Sequence, residues 1–356
     1  MKKRIGILLL TGLIFAGMSG VTAFAEDAGA AIPNVTTSTD VNDVTLPFTK
    51  NLKIAEGVTV PTQTFGFEIT AQTDGAPQAT MSSVSYTSQD ETGALTAENT
   101  YVISKDATIS FAPFTKAGVY EYEVKETRGN GEGMSYDAGT YTLRVYVVNS
   151  DNGGFKVKTI TAEKDNTKQD KIAFDNQYVK NGSLIIHKDT VGDQADKKKD
   201  FTFKIRFLKS GTEAENVTSY IGKIGNVEIV CSIGQDTEFQ LHDGEELSFE
   251  SLPVGTRYIV TEIEENDNYT PSIQVISSGT EVHRADGTDG TDLSSSDNGT
   301  DTILVGEQEN KVIFTNTYAD TPTTGLFLQR LPFWVMILAA VCAIAGLAVV
   351  NGRKRS

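Results

Sequence analysis

The 356-residue sequence is poor in the residues that build disulfide and metal sites, with two cysteines and three histidines. Cys342 lies in an apolar run near the C-terminus, which leaves Cys231 without a partner for an intrachain disulfide. The three histidines, His187, His242 and His283, do not have the spacing of zinc ligands. We therefore expect no metal ion and no other cofactor, and the chain must be stabilised by something other than disulfides.

Positive charge is also scarce, with 31 Lys and Arg against 47 Asp and Glu and a formal net charge of −16. This balance argues against nucleic acid as a partner, because the phosphate backbone attracts basic surfaces. It favours a soluble, self-repelling exterior. No Ser–His–Asp arrangement and no glycine-rich phosphate loop stands out, so the sequence does not point to an enzyme acting on a diffusible substrate.

The N-terminus has the three-part layout of a secretory signal peptide. Basic residues at positions 2–4 precede an apolar stretch, and the stretch ends in an Ala-Phe-Ala cleavage site that closes at Ala25. We expect residues 1–25 to be removed on export. A flexible segment over residues 26–41 is expected to follow. A membrane-spanning first helix is the alternative.

The C-terminus carries a second apolar run, Leu331–Val350, followed by a basic tail. The run is long enough to cross a bilayer as a transmembrane helix. The basic residues after it favour a cytoplasmic tail by the positive-inside rule, so the body of an exported chain would stop outside the cell.

The pentapeptide before this run is Thr321-Pro322-Thr323-Thr324-Gly325. Pentapeptide, apolar span and basic tail together resemble a sortase sorting signal, with Thr321 where the family usually has leucine. The resemblance implies that a sortase cysteine attacks the carbonyl of Thr324 and releases Gly325 onward. Residues 320–356 would then be a sorting signal, and the chain would touch the membrane only as a transient precursor. A plain single-span anchor is the alternative.

Between these ends the sequence lacks long helical periodicity. Short runs rich in Val, Ile, Thr, Tyr and Phe alternate with polar residues, and Gly, Asn and Asp clusters separate them. Period-two alternation predicts half-buried strands. The whole pattern occurs twice, which predicts an all-β fold with two tandem β-sandwich domains, over residues 42–179 and 180–319.

The two halves repeat the same polar residue types at matched places in strand-like runs: Lys50, Glu126 and Asn176 in the first half, and Lys188, Glu262 and Asn316 in the second. The Lys-to-Glu separations are 76 and 74 residues, and the Glu-to-Asn separations are 50 and 54 residues. Each of these residues shares a strand face with apolar neighbours two positions away, so we expect it to point into the core.

Burial gives these residue types a specific chemistry, because it lowers the pKa of a lysine and raises the pKa of a glutamic acid. A neutral lysine amine can attack the side-chain carbonyl of asparagine and expel ammonia. The product is a Lys–Asn isopeptide bond, with the glutamate carrying the proton. In the first half Lys53 competes with Lys50, but Lys50 better matches the I-x-K pattern of Lys188.

The arrangement resembles the intramolecular isopeptide domains of Gram-positive pilins and adhesins, and most closely the two-domain streptococcal backbone pilins of the FctA type. The resemblance is carried by the GxYxYxVxE run that ends at Glu126, the Tyr136-Asp137 pair and the two F-x-N-x-Y endings. It implies immunoglobulin-like sandwiches with self-formed cross-links. It also implies a secreted structural subunit of a cell-wall-linked pilus, joined by a sortase to identical subunits, to other pilins or to peptidoglycan.

A polymer also needs an acceptor amine, which the resemblance places on a lysine shortly before the last strand of the first domain. The polar segment 164–171 is expected to be an exposed loop, and Lys168 is the candidate, with Lys164 and Lys171 as rivals. A wall-anchored monomeric adhesin or accessory pilin that binds a host ligand is the alternative function.

Two further features are expected to be structural. The acidic, glycine-rich residues 285–301 lack the ligand spacing of an EF-hand, and we expect a flexible insertion there in preference to a calcium site. Cys231 lies in the strand-like run EIVCSI and is expected to be a small buried residue, not a reactive thioester.

Overall fold

The computed structural model describes residues 41–263 and 267–319. Every regular element in these ranges is a β-strand, which confirms the predicted all-β architecture there. The predicted signal peptide, nearly all of the segment after it and the predicted sorting signal lie outside the described residues. Within the described ranges, no helix is long and apolar enough to cross a membrane.

The first half of the chain folds into two facing five-stranded sheets and a short two-stranded ribbon. Its strands are β1 (Thr45–Ala55), β2 (Gln63–Phe65), β3 (Phe67–Ala71), β4 (Ala79–Met81), β5 (Val84–Tyr86), β6 (Thr100–Phe111), β7 (Gly118–Glu126), β8 (Met134–Ser135), β9 (Thr140–Asn149), β10 (Phe155–Lys164), β11 (Thr167–Gln169) and β12 (Ala173–Tyr178). One sheet has the order β4-β6-β1-β12-β8, and the facing sheet has the order β11-β10-β9-β7-β3. The ribbon pairs β2 with β5.

The second half repeats the two-sheet plan. Its strands are β13 (Asn181–Val191), β14 (Phe201–Leu208), β15 (Ser219–Ile224), β16 (Val227–Ser232), β17 (Asp236–Leu241), β18 (Glu246–Pro253), β19 (Arg257–Ile263), β20 (Tyr269–Ser277), β21 (Thr280–Asp286), β22 (Leu293–Ser294), β23 (Ile303–Leu304) and β24 (Lys311–Tyr318). The larger sheet has the order β16-β15-β18-β13-β24-β20-β21, and the facing sheet has the order β17-β14-β19-β22.

The strands form because their apolar residues fall on one face. In β7, Tyr120, Tyr122 and Val124 are buried, while Glu121 and Glu123 between them are half-exposed. Each large apolar side chain removed from water contributes about 1.5–3 kcal/mol to folding. The same alternation runs through β9, β14 and β19, so each domain has its own apolar core between its two sheets.

The first and last strands of each domain are neighbours and run parallel. In the first domain β1 pairs with β12, with Lys50 opposite Phe174. In the second domain β13 pairs with β24, with Lys188 opposite Phe314. In both domains the asparagine follows that phenylalanine by two residues, so lysine and asparagine share one face of the sheet. The register therefore brings the two ends of each domain together in the same way.

The two domains pack against each other directly. Arg257 of the second domain forms an ion pair with Glu56 of the first. Glu307 of the second domain accepts a hydrogen bond from the backbone N–H of Thr59, in the first domain, at 2.8 Å. Val254 of the second domain is buried as part of the first domain's core cluster. Both charge pairing and apolar burial therefore join the domains.

The segment 285–301 is not a flexible insertion along its whole length, and that expectation is wrong for residues 293–296. β22 pairs with β19, with Leu293 opposite Glu262. Leu293, Ser295 and Ser296 are buried. The backbone N–H of Ser295 donates to the Val260 carbonyl, and the Ser295 hydroxyl accepts from the Val260 N–H, so this stretch is attached to β19.

Candidate functional site

The first candidate site lies between the two sheets of the first domain. β1 turns Lys50 inward, where its side chain is fully buried and its Nζ lies 3.0 Å from Glu126 Oε2. Asn176, on β12, donates from its Nδ2 to Glu126 Oε1 at 2.6 Å. Lysine and asparagine come from adjacent strands of one sheet, and Glu126 reaches them from β7 of the facing sheet. Glu126 is therefore bound to both partners at once.

The second domain contains the same cluster. Lys188 Nζ lies 3.1 Å from Glu262 Oε1, and both side chains are fully buried. Asn316 Nδ2 donates to that same glutamate oxygen at 3.0 Å. The elements correspond as well, because Lys188 lies on the first strand of its domain, Asn316 on the last, and Glu262 on the facing sheet.

An aromatic ring lies close to each lysine amine and contributes to its apolar surroundings. Lys50 Nζ lies 4.8 Å from the centroid of the Phe65 ring, and Lys188 Nζ lies 4.1 Å from that of Phe201. Both lysine side chains have no exposed surface. A charge in such surroundings loses the hydration that it has in water.

The pKa values of the first cluster follow from this burial. Burial lowers the pKa of Lys50 and raises the pKa of Glu126, and the attraction between the two groups opposes both shifts only in part. Transfer of one proton from Lys50 to Glu126 leaves a neutral amine beside a neutral acid and removes both buried charges. The neutral amine is the nucleophilic form of lysine.

Lys53 does not belong to the cluster. It is the third residue after Lys50 on β1, so it points to the opposite face of the sheet and is half-exposed. The structure thus brings Lys50, and not Lys53, to Glu126 and Asn176.

The segment 164–171 is largely exposed, as expected, but it contains a β-hairpin, so the expectation of a loop is wrong for half of its residues. Lys164 ends β10, and residues Thr167–Gln169 form β11. The turn between them is formed by Asp165 and Asn166, both with positive φ, as in the type I′ turns that favour two-residue hairpins. Lys168 is exposed on β11, opposite Glu163.

The two rival lysines differ in their surroundings. Lys164 is half-buried, and its Nζ lies 3.0 Å from Asp137 Oδ2. Lys171 is exposed and directly precedes Ile172, which is buried in the core.

Sequence spacing gave no role to Asp137, yet the structure places it at the first cluster. Its backbone N–H donates to Asn176 Oδ1 at 2.8 Å. The Tyr136-Asp137 pair is visible in the sequence, but nothing in its position indicates a contact with Asn176, which lies 39 residues later.

Other reactive groups do not form a second kind of site. Within residues 41–263 and 267–319, no group of three or more His, Cys, Asp and Glu side chains could hold a metal ion. Cys231 is buried, and burial raises the pKa of its thiol to about 11. Its thiol is therefore protonated and shielded at neutral pH.

The structure is that of a protein with two tandem β-sandwiches, each with a buried lysine, glutamate and asparagine cluster that joins its first and last strands. Each half of the chain also matches a known protein family. Residues 46–179 match the FctA family, described as a Spy0128-like isopeptide containing domain. Residues 182–318 match a domain of unknown function, DUF7601.

Similarity to known proteins extends over almost the whole chain. A curated protein of Streptococcus pyogenes serotype M1, described as a pilin, is 28% identical in an alignment 353 positions long that covers 94% of this chain and 95% of the relative. The resemblance to streptococcal FctA-type backbone pilins is thereby confirmed.

Solved structures of related proteins are found as well. The crystal structure of a major pilin from S. pyogenes is 28% identical, covers 78% of this chain and 99% of its own, and superposes with a TM-score of 0.37. A second major pilin of that species, T3.2, is 24% identical, covers 79% and 99%, and has a TM-score of 0.36. Both TM-scores are low, so the relationship to these pilins rests on sequence similarity.

The dependence of Glu126 on its lysine predicts a pH-dependent loss of stability. In a chain with Asn176→Ala, which cannot form the first-domain bond, we expect Lys50→Met to raise the pKa of Glu126 further, because the nearby cation is lost. When the pKa of Glu126 is higher in the folded state than in the unfolded state, its contribution to the free energy of unfolding is present at low pH and is lost as the pH rises. We expect a loss of about 2 kcal/mol or more between roughly pH 5 and pH 8.

The matched control is Lys53→Met in the same Asn176→Ala chain. Guanidinium unfolding followed by circular dichroism measures the free energy of unfolding of the first domain in both variants. A pH dependence that is the same in the two variants would contradict the placement of Lys50 beside Glu126.

Proposed function

We propose that this chain is a structural subunit of a covalently assembled pilus on the surface of a Gram-positive bacterium, and that each domain locks itself with a Lys–Asn isopeptide bond. The observation that carries the proposal is the repetition of one buried cluster, with the same strand positions, in both domains. The similarity to a curated pilin supports the assignment to a pilus.

The bonds would join Lys50 to Asn176 and Lys188 to Asn316. In the first domain, Glu126 accepts a proton from the Lys50 ammonium, and the neutral Nζ attacks Cγ of Asn176. Glu126 then gives this proton to the departing amide nitrogen, which leaves as ammonia, and takes up the second proton of Nζ as the secondary amide forms. Glu262 has the same role in the second domain. The reaction needs no cofactor, occurs once and leaves no free site, so the chain is a structural protein and not an enzyme.

The position of each bond suits a protein under tension. A pull on the chain ends would separate β1 from β12 and β13 from β24, whose backbone hydrogen bonds would otherwise break one after another. A covalent bond between the first and last strands carries the force past these hydrogen bonds. It also restricts the unfolded chain, by roughly 4–5 kcal/mol for a loop of this length. The described residues contain one cysteine and therefore no disulfide, so the isopeptide bonds would give the covalent reinforcement that disulfides give other exported proteins.

Assembly would use the C-terminal signal in residues 320–356. A sortase would cleave after Thr324 in the pentapeptide that contains Thr321 and Pro322, release Gly325 onward, and hold the chain as a thioester. A lysine amine of the next identical subunit would then receive the Thr324 carbonyl. Other pilins or peptidoglycan would receive the last subunit, which places the protein at the cell wall.

Lys168 is the proposed acceptor in the first domain. It is exposed on the β10–β11 hairpin, whereas Lys164 of the same hairpin is half-buried against Asp137. An amine must be reachable by the sortase thioester, and Lys168 meets this condition better than Lys164. Lys171 remains the rival, since it is exposed as well.

Intact mass is the direct test of the two bonds. A recombinant chain of residues 26–320 should be lighter than its translated sequence by about 34 Da, because each isopeptide bond releases one ammonia of about 17 Da. Glu126→Ala and Glu262→Ala should each halve this loss, and Lys53→Met should leave it unchanged. A mass equal to the translated sequence would contradict both bonds.

Polymerisation has its own test in cell-wall extracts of a bacterium that expresses the full chain with its sortase. We expect a ladder of covalent multimers that resists boiling in detergent, and we expect Lys168→Ala to abolish it. Lys164→Ala and Lys171→Ala are the matched controls and should retain the ladder. A single band from the unaltered chain would favour the wall-anchored adhesin, and a ladder lost only with Lys171→Ala would move the acceptor there.

A further inference from the structure

The hydrogen bonds of Asn176 fix the orientation of its side-chain amide. A backbone N–H can only donate, so the atom that faces the N–H of Asp137 at 2.8 Å must be the oxygen, Oδ1. The opposite atom is then Nδ2, which donates to Glu126 at 2.6 Å. Glu126 therefore contacts the nitrogen that would leave, and Asp137 contacts the oxygen on which negative charge would develop.

The loop that presents this N–H is held on several sides. The carboxylate of Asp137 accepts hydrogen bonds from the backbone N–H of Gly139 at 2.7 Å and of Asp175 at 3.0 Å. Asp175 directly precedes Asn176 on β12. One side chain thus ties the loop to the strand that carries the asparagine.

An ion pair completes the attachment. Lys164 Nζ lies 3.0 Å from Asp137 Oδ2, and the Asp137 side chain is 8% exposed. Burial alone would raise the pKa of this carboxyl, but the N–H donors of Asp175 and Gly139 and the ammonium of Lys164 outweigh it and hold the pKa below its ordinary value. Asp137 is therefore ionised, and an ionised carboxylate accepts stronger hydrogen bonds than a neutral one.

We propose that the backbone N–H of Asp137 is the oxyanion donor for bond formation in the first domain, and that the Asp137 carboxylate and Lys164 position it. The inference rests on the proposed isopeptide chemistry and adds a group to it. A preorganised donor aimed at a developing oxyanion, in a site without water, lowers the barrier of an acyl-transfer step.

Bond formation transfers the acyl group of Asn176 from Nδ2 to the Nζ of Lys50. The Lys50 Nζ lone pair forms a bond to Cγ of Asn176, and the carbonyl π electrons move to Oδ1, where the Asp137 N–H meets the negative charge. Glu126 carries the proton lost by Nζ to Nδ2. When the carbonyl re-forms, the Cγ–Nδ2 bond breaks and ammonia leaves. The products are one secondary amide and one ammonia, with no oxidant and no further reactant.

The rate of cross-linking in the full chain tests the role of Asp137. The chain is made in a cell-free translation pulse, samples are quenched in acidic guanidinium at set times, and intact mass with peptide mapping follows each bond separately. We expect Asp137→Ala to slow the first-domain bond at least 10-fold, while the second-domain bond forms at the unaltered rate and serves as the internal reference. Lys164→Met should slow the first bond several-fold.

Asp90→Ala is the matched control. Asp90 also accepts a backbone N–H bond, from Thr87, and also pairs with a lysine, Lys105 at 2.7 Å, but it is not bonded to the Lys50–Glu126–Asn176 cluster. We expect this variant to cross-link at the unaltered rate. First-domain cross-linking at the unaltered rate in Asp137→Ala would overturn the inference. Absence of both bonds from the unaltered chain would instead refute the proposed chemistry itself.

A second measurement applies even if Asp137→Ala fails to fold. Lys50→Ala blocks the reaction and leaves Asn176 unreacted, so amide hydrogen exchange reports the contact directly. We expect the Asp137 N–H to exchange at least 10-fold faster in Lys50→Ala/Asn176→Ala than in Lys50→Ala, with unchanged exchange at Tyr122. Equal exchange rates at Asp137 would overturn the inference.

Discussion

A lysine and a glutamate buried side by side against an asparagine are the contact on which the structure and the function of each domain depend. In the first domain Lys50, Glu126 and Asn176 are buried, and a charged pair in such surroundings costs several kcal/mol per ion before its attraction is counted. Neutralisation by proton transfer removes that cost and at the same time produces the nucleophile. In the proposed chemistry, the folding of the sandwich therefore also activates the lysine.

The strand order makes this contact possible. Antiparallel neighbours dominate both domains, but the first and last strands are parallel, and their register sets Lys50 opposite Phe174 and Lys188 opposite Phe314. The glutamate comes from the facing sheet, so each cluster links both layers of its sandwich. The domains also pack directly against each other, because Val254 of the second domain is buried in the core of the first.

Much of this could be predicted from residue patterns, because period-two alternation, a repeat and three matched polar residues are local signals. The hairpin at Lys164 and Thr167 had a signal too, since Asp165-Asn166 favours a two-residue turn with positive φ. The contact of Asp137 with Asn176 had none, because it depends on how a loop folds across a strand 39 residues later. The packing of Leu293 beside Glu262 was hidden by an acidic, glycine-rich composition that is typical of disorder.

The central claim is that a covalent bond carries tension past the fold of each domain, and single-molecule pulling on the two ends of the 26–320 chain tests it most directly. The account predicts that the unaltered chain shows no unfolding event, because the residues between Lys50 and Asn176 and between Lys188 and Asn316 cannot extend. The Glu126→Ala/Glu262→Ala chain should show two events, each releasing about 3.5 Å per freed residue. Two such events in the unaltered chain would contradict the account.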